Sequence, residues 1–207
     1  MTNSNVESIR EELGLVKRSG VKKKASPWHK GARWTKTRRT VISTAFKGKE
    51  SLSMWSNCGI CGLPLDKYAR ENCLLHELSL HVDHIKAPSV YDNIEGQKLW
   101  YDLDNLQVTH MLCNIKKQNN VLDTELRTLI IKDMSKFLKS LDVKLSKDGQ
   151  RFIIQNNLLT ERGQKEQKLY FIESKEKNNF FNKSGINEKF FTEGIKDYKE
   201  LSSGVLW

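Results

Sequence analysis

Two matched pairs, Cys58-Gly-Ile-Cys61 and His110-Met-Leu-Cys113, have the residue types and the x2 spacing of a closed tetrahedral zinc site. Gly59 and Gly62 let the backbone curl so that the two thiolates of the first pair face one ion. With four ligands and no open position, such an ion is a staple rather than a catalyst. It contributes on the order of 10 kcal/mol of apparent folding free energy, which a module of ~65 residues with a small core needs. The alternatives are a redox dithiol at Cys58 and Cys61 and a surface role for His110, and the joint occurrence of the two pairs favours zinc. Cys73 is left over as a buried or free thiol, and His76 reads as a loop residue. Between the pairs lies Asp83-His84, and Asn114 directly follows Cys113.

These residues can meet only if the chain between them folds back. Residues 80–85 alternate as a strand, with Leu80, Val82 and His84 on one side and His81, Asp83 and Ile85 on the other. Pro88 and Gly96 break the next stretch into a loop, and residues 97–108 read as a second strand ending in Asn105-Leu106-Gln107-Val108. Residues 111–120 form a short helix with His110 and Cys113 at its start and Asn114, Lys116 and Lys117 following. The order is strand, loop, strand, helix.

Asp83-His84-Ile85, then Leu103-Asp104-Asn105-Leu106-Gln107, then His110-x2-Cys113-Asn114-x2-Lys117 resembles the signature of the HNH, or ββα-metal, endonucleases over about a third of the chain. One departure concerns the loop after Asp-His-Ile: the family's Pro…Gly-Gly pattern is replaced by an early Pro88 and a single late Gly96. The resemblance implies that His84 is the general base that takes a proton from the attacking water, a task suited to an imidazole titrating near neutrality. It implies that Asp83 and Asn114 hold one Mg2+ or Mn2+ ion through hard oxygen donors. It gives Asn105 the task of bracing the loop that aims His84. Lys117 would face a phosphate or be a solvated helix lysine, and His81 would be a structural partner on the strand. The implied fold is α+β: a small zinc-stapled ββα module at residues 51–120, a basic helical arm at 1–50 and a helical or mixed region at 121–207.

Charge supports a polyanionic partner. The net charge of +10 is unevenly spread: residues 1–50 carry 13 Lys/Arg against 4 Asp/Glu, a net of +9, whereas residues 51–120 carry 6 against 8, a net of −2. A basic arm thus adjoins a slightly acidic centre, as a phosphate-gripping segment beside a cation site would. Lys22, Lys23, Lys24, Arg33, Arg38 and Arg39 are the candidate contacts to double-stranded DNA, together with Lys117. Trp28, His29 and Trp34 are interleaved among the cations, either stacking on the nucleic acid or tucked into the core.

The flanks read as helices. Val6, Ile9, Leu13 and Val16 share one face of a helix over residues 6–16, and Val41, Ile42 and Phe46 form the apolar face of another over 37–47, stopped at Gly48. Residues 121–141 form a longer amphipathic helix capped by Asp123 or Thr124, its stripe running through Leu122, Leu126, Leu129, Ile130, Met134, Phe137, Leu138 and Leu141. Residues 151–154 and 168–172 read as short strands. No run reaches the ~18 apolar residues of a membrane span, and the opening residues carry no apolar signal core. A cytoplasmic protein with reduced cysteines, able to form a homodimer, is the expectation.

Overall fold

The apolar periodicities of the flanks and of the centre feed two apolar clusters. The computed structural model describes residues 3–15, 31–46, 55–88 and 93–184, and the structural statements below are of these residues. Val16, Lys22, Lys23, Lys24, Trp28, His29 and Gly48 lie outside them. The chain is mixed α+β and divides into two compact units, Met1–Gly163 and Gln164–Trp207.

In the first unit, helix α1 (Asn3–Glu12) buries Val6 and Ile9, with Leu13 just beyond its end. Its Arg10 pairs with the buried Glu77. Helix α2 (Ala32–Ala45) starts five residues earlier than periodicity suggested, because Trp34 lies seven residues before Val41 and shares its buried face. Strands β1 (Trp55–Asn57) and β2 (Pro64–Asp66) form an antiparallel hairpin, followed by the single turn of α3 (Ala69–Asn72).

Strand β3 (Leu80–His84) pairs antiparallel with β4 (Leu106–His110), setting Leu80 opposite His110, Asp83 opposite Gln107 and His84 opposite Leu106. Helix α5 (Met111–Lys117) follows β4 without a break. The expected second strand over 97–108 is only half right. Residues Asn93–Tyr101 are a helix, α4, and the strand begins at Leu106. Gly96, expected as a breaker, is buried inside α4, four residues before the buried Trp100, so both lie on the face that meets the core.

Helix α6 (Thr124–Ser140) is capped by Asp123, whose carboxylate accepts from the Leu126 N–H at 2.8 Å. Ile130, Met134, Phe137 and Leu138 are buried as expected, but Leu129 is 54% exposed and falls off the stripe. A two-residue hairpin, β5 (Lys144–Leu145) with β6 (Phe152–Ile153), follows.

Two apolar clusters result. The larger joins α1, the Cys58–Cys61 turn, α5, α6 and residues as far as Leu159, so all three expected segments contribute to it. The smaller gathers Trp34, Val41, Phe46, Leu65, Trp100, Leu106 and Val108 under α2.

In the second unit, residues 168–172 are helical rather than a strand, lying within α7 (Glu161–Ser184). Leu169, Phe171 and Ile172 are each more than two-fifths exposed, so no buried sheet face holds this short apolar run extended, and the flanking Glu, Gln and Lys favour helix. Among the described residues no helix is long and apolar enough to cross a membrane.

Candidate metal centre

The turn between β1 and β2 supplies the first ligand pair. The Cys58 N–H donates to the Leu63 carbonyl at 2.9 Å and the Gly62 N–H to the Cys58 carbonyl at 2.8 Å. Gly62 sits at φ 76°, a backbone angle that favours glycine. The second pair comes from the β4–α5 junction, where His110 ends the strand and Cys113 lies in the first helical turn. All four residues are buried, and their ligand atoms lie within 4.8 Å of one another.

The Cys61 Sγ to His110 Nδ1 distance is 3.4 Å and the Cys113 Sγ to His110 Nδ1 distance is 4.0 Å. A tetrahedral zinc with Zn–S ~2.3 Å and Zn–N ~2.0–2.1 Å has sulfur-to-nitrogen edges of about 3.6 Å, so the cluster fits that ion. His110 Nε2 lies 2.9 Å from the Pro64 carbonyl, which can only accept, so Nε2 carries the proton and Nδ1 keeps its lone pair for a metal.

The buried thiols and the imidazole act on one another's protonation. Burial alone would push the Cys58 thiol up, but hydrogen bonds with Cys113, Cys61 and His110 hold it far below the usual thiol range. Burial disfavours a charged His110, yet the neighbouring Cys61 and Cys58 push it up to about 10. A divalent cation relieves such a crowd of buried donors. Cys73 is apart from it: burial pushes this thiol up to about 12, and its Sγ accepts from the Leu75 N–H.

His84 closes β3 and is held on three sides. Its Nε2 lies 3.1 Å from the Trp100 carbonyl. The acceptor again assigns the proton to Nε2, leaving Nδ1 as the basic nitrogen. The Trp34 ring stacks on the imidazole at 5.5 Å and 13°, and Trp100 meets it at 4.7 Å and 50°. Trp34 is thus tucked into the core, against the imidazole, and does not offer its ring to a base.

Asn105 braces the segment that follows His84. Its amide nitrogen donates to the Lys86 and Leu99 carbonyls at 2.9 and 3.0 Å, and its amide oxygen accepts from the Lys86 N–H at 2.8 Å. The Ile85 N–H donates to the Asn105 carbonyl. One buried side chain therefore ties the end of β3 to α4.

Asp83 and Asn114 come from facing elements but have different partners. Asp83, 5% exposed, accepts from Gln107 Nε2 at 3.0 Å and pairs with Lys117 Nζ at 3.3 Å. Burial pushes its carboxyl up, against the opposing pull of the Lys117 charge. Asn114 Nδ2 lies 3.4 Å from His81 Nδ1. Lys117 corrects an expectation, being neither a phosphate contact nor a solvated helix lysine. It is fully buried, and it also donates to the His84 carbonyl at 2.7 Å.

Two stability predictions follow from these contacts. Lys117→Met leaves the Asp83 carboxylate buried beside no ammonium and is expected to cost about 3–5 kcal/mol in urea denaturation. Adding Asp83→Leu to it should recover most of that loss, because an apolar pair needs no counter-charge. Gly59 lies so close to Gln107 that a Cβ would collide with its amide, forcing Gln107 off Asp83. Gly59→Ala should therefore destabilise by about 1–3 kcal/mol in the same assay.

The remaining candidate contacts lie on α2. Arg33 is exposed and sits over the Tyr101 ring at 4.0 Å, and Arg38 and Arg39 are exposed. Sequence reasoning missed Trp100, Gln107 and the pairing of His81 with Asn114. A signal for Gln107 existed, since antiparallel pairing of the two strands sets it across from Asp83. Compared with protein-family models, curated proteins and solved structures, the chain gave no match.

Proposed function

We propose that this protein is a metal-dependent HNH endonuclease that hydrolyses phosphodiester bonds in DNA. The observation that carries the reading is His84, whose Nε2 proton is engaged by the Trp100 carbonyl while two indoles fix the ring. That leaves Nδ1 as the nitrogen able to take a proton from an attacking water. Asn105 keeps the chain after His84 in place, and the Cys58, Cys61, His110 and Cys113 cluster, read as a zinc staple, holds the hairpin and α5 together. Asp83 and Asn114 would hold the catalytic Mg2+ or Mn2+, which when bound supplies charge stabilisation to the transition state and the leaving 3′ oxygen. The exposed arginines of α2 would contact the DNA backbone.

A specific observation favours a second reading, a zinc-knuckle protein that binds DNA without cutting it. The Asp83 carboxylate is already engaged by Lys117 and Gln107, and Asn114 by His81. Incubating the protein with end-labelled duplex DNA, single-stranded DNA and RNA in Mg2+ decides among the readings. Cleavage of the duplex supports the proposal. Cleavage of RNA alone makes the protein an RNA-directed nuclease, and tight binding with every strand intact makes it a binder. Cutting both strands of a duplex would call for a homodimer or two sequential nicks.

A further inference from the structure

Arg70 approaches His81 from α3, and Arg38 lies on α2, which packs against β3, the strand that carries His81. Arg70, in α3, places Nη2 3.4 Å from His81 Nε2. Both arginines are exposed. Neither forms an ion pair with a carboxylate of the described residues, whereas Arg10, Lys116 and Lys117 are matched to Glu77, Asp133 and Asp83.

Two cations without carboxylate partners, carried by elements that both touch β3, gain from an anion placed between them. The planar guanidinium fork fits phosphate oxygens in pairs. Position gives this arrangement its meaning. His81 Nδ1 lies 3.4 Å from Asn114 Nδ2, so the cations sit at the edge of the candidate reaction centre. His81 precedes Asp83 by two residues on β3, about 7 Å along the strand. That step is similar to the spacing of neighbouring phosphates along one nucleic-acid strand.

We propose that Arg70, held against His81 beside Asn114, and Arg38 on the neighbouring α2 together seat a second phosphate of the substrate strand, adjacent to the phosphate that reacts. The inference rests on the nuclease reading above and adds to it a strand-positioning subsite built on α2 and α3. Because this phosphate is not the one broken, the arginines serve binding rather than the chemical step.

The test uses Arg70→Ala, Arg38→Ala and the double variant, with Lys147→Ala as a control that removes one exposed charge from the turn between β5 and β6. Fluorescence anisotropy with a labelled DNA duplex in EDTA reads binding without chemistry, at several salt concentrations. Each arginine variant should weaken binding about tenfold at about 0.1 M salt. Each should also lower the slope of log affinity against log salt by about one. Lys147→Ala should bind as wild type does. In Mg2+, KM for duplex cleavage should rise while kcat stays within about twofold. Arginine variants that bind like Lys147→Ala would overturn the subsite while leaving the nuclease reading intact, provided the wild type cleaves. A wild-type protein that neither binds nor cleaves duplex would instead overturn the nuclease reading itself.

Discussion

His84→Ala is expected to slow DNA cleavage by about 10²–10⁴-fold, the usual contribution of a positioned general base, while duplex affinity measured in EDTA stays at the wild-type value. The separation follows from where the ring lies. His84 is enclosed by Trp34 and Trp100 and hydrogen-bonded to a backbone carbonyl, so it contributes little to a DNA-facing surface. Removing it takes away a basic nitrogen and leaves the arginines of α2 in place. A His84→Ala protein that cuts at the wild-type rate would remove the base from the scheme. Parallel loss of affinity and rate would instead point to a collapsed site, which the melting temperature would reveal.

Loss of the ion from the Cys58, Cys61, His110 and Cys113 cluster is expected to unfold the first unit. Structural zinc contributes an apparent ~10–16 kcal/mol at neutral pH in small metal-dependent domains, as large as the whole ~5–15 kcal/mol of net stability of a typical domain. Cys58, Cys61 and Cys113 belong to the larger apolar cluster, packed with Leu112, Ile60 and Met134, so the loss cannot stay local. Purified protein should contain one zinc per chain. Treatment with a strong chelator, or Cys113→Ala, should abolish the cooperative thermal transition followed by circular dichroism. An unchanged transition in metal-free protein would show that the cluster is no staple.

The cluster of Cys58, Cys61, His110 and Cys113, which could hold a metal ion, was legible because coordination chemistry restricts both residue type and spacing: two thiolates or a thiolate and an imidazole two residues apart can share one ion almost only in a turn or at a helix start. Asn105 was expected as a brace from the resemblance of its Asn-Leu-Gln step, and its side chain hydrogen-bonds to Lys86 and Leu99. The rest depended on contacts distant in sequence. Lys117 reads as a surface lysine on any helix, and only the register that sets Asp83 against α5 makes its burial possible. Trp34 was placed among DNA-stacking candidates because cations surround it, yet its seven-residue offset from Val41 fixes it to the buried face of α2. Residues 97–101 and 168–172 were misread as strands for one shared reason. Short apolar runs carry no period long enough to tell helix from strand, and tertiary context decides.

The most direct test of the central claim is single-turnover conversion of supercoiled plasmid by zinc-loaded wild-type protein, followed on agarose with and without Mg2+. Nicked or linear plasmid is expected in Mg2+, with no product in EDTA and new ends bearing a 5′ phosphate and a 3′ hydroxyl. Plasmid that stays supercoiled in Mg2+, under conditions where the same protein binds it tightly, would contradict the account and leave a metal-stapled DNA-binding protein in its place.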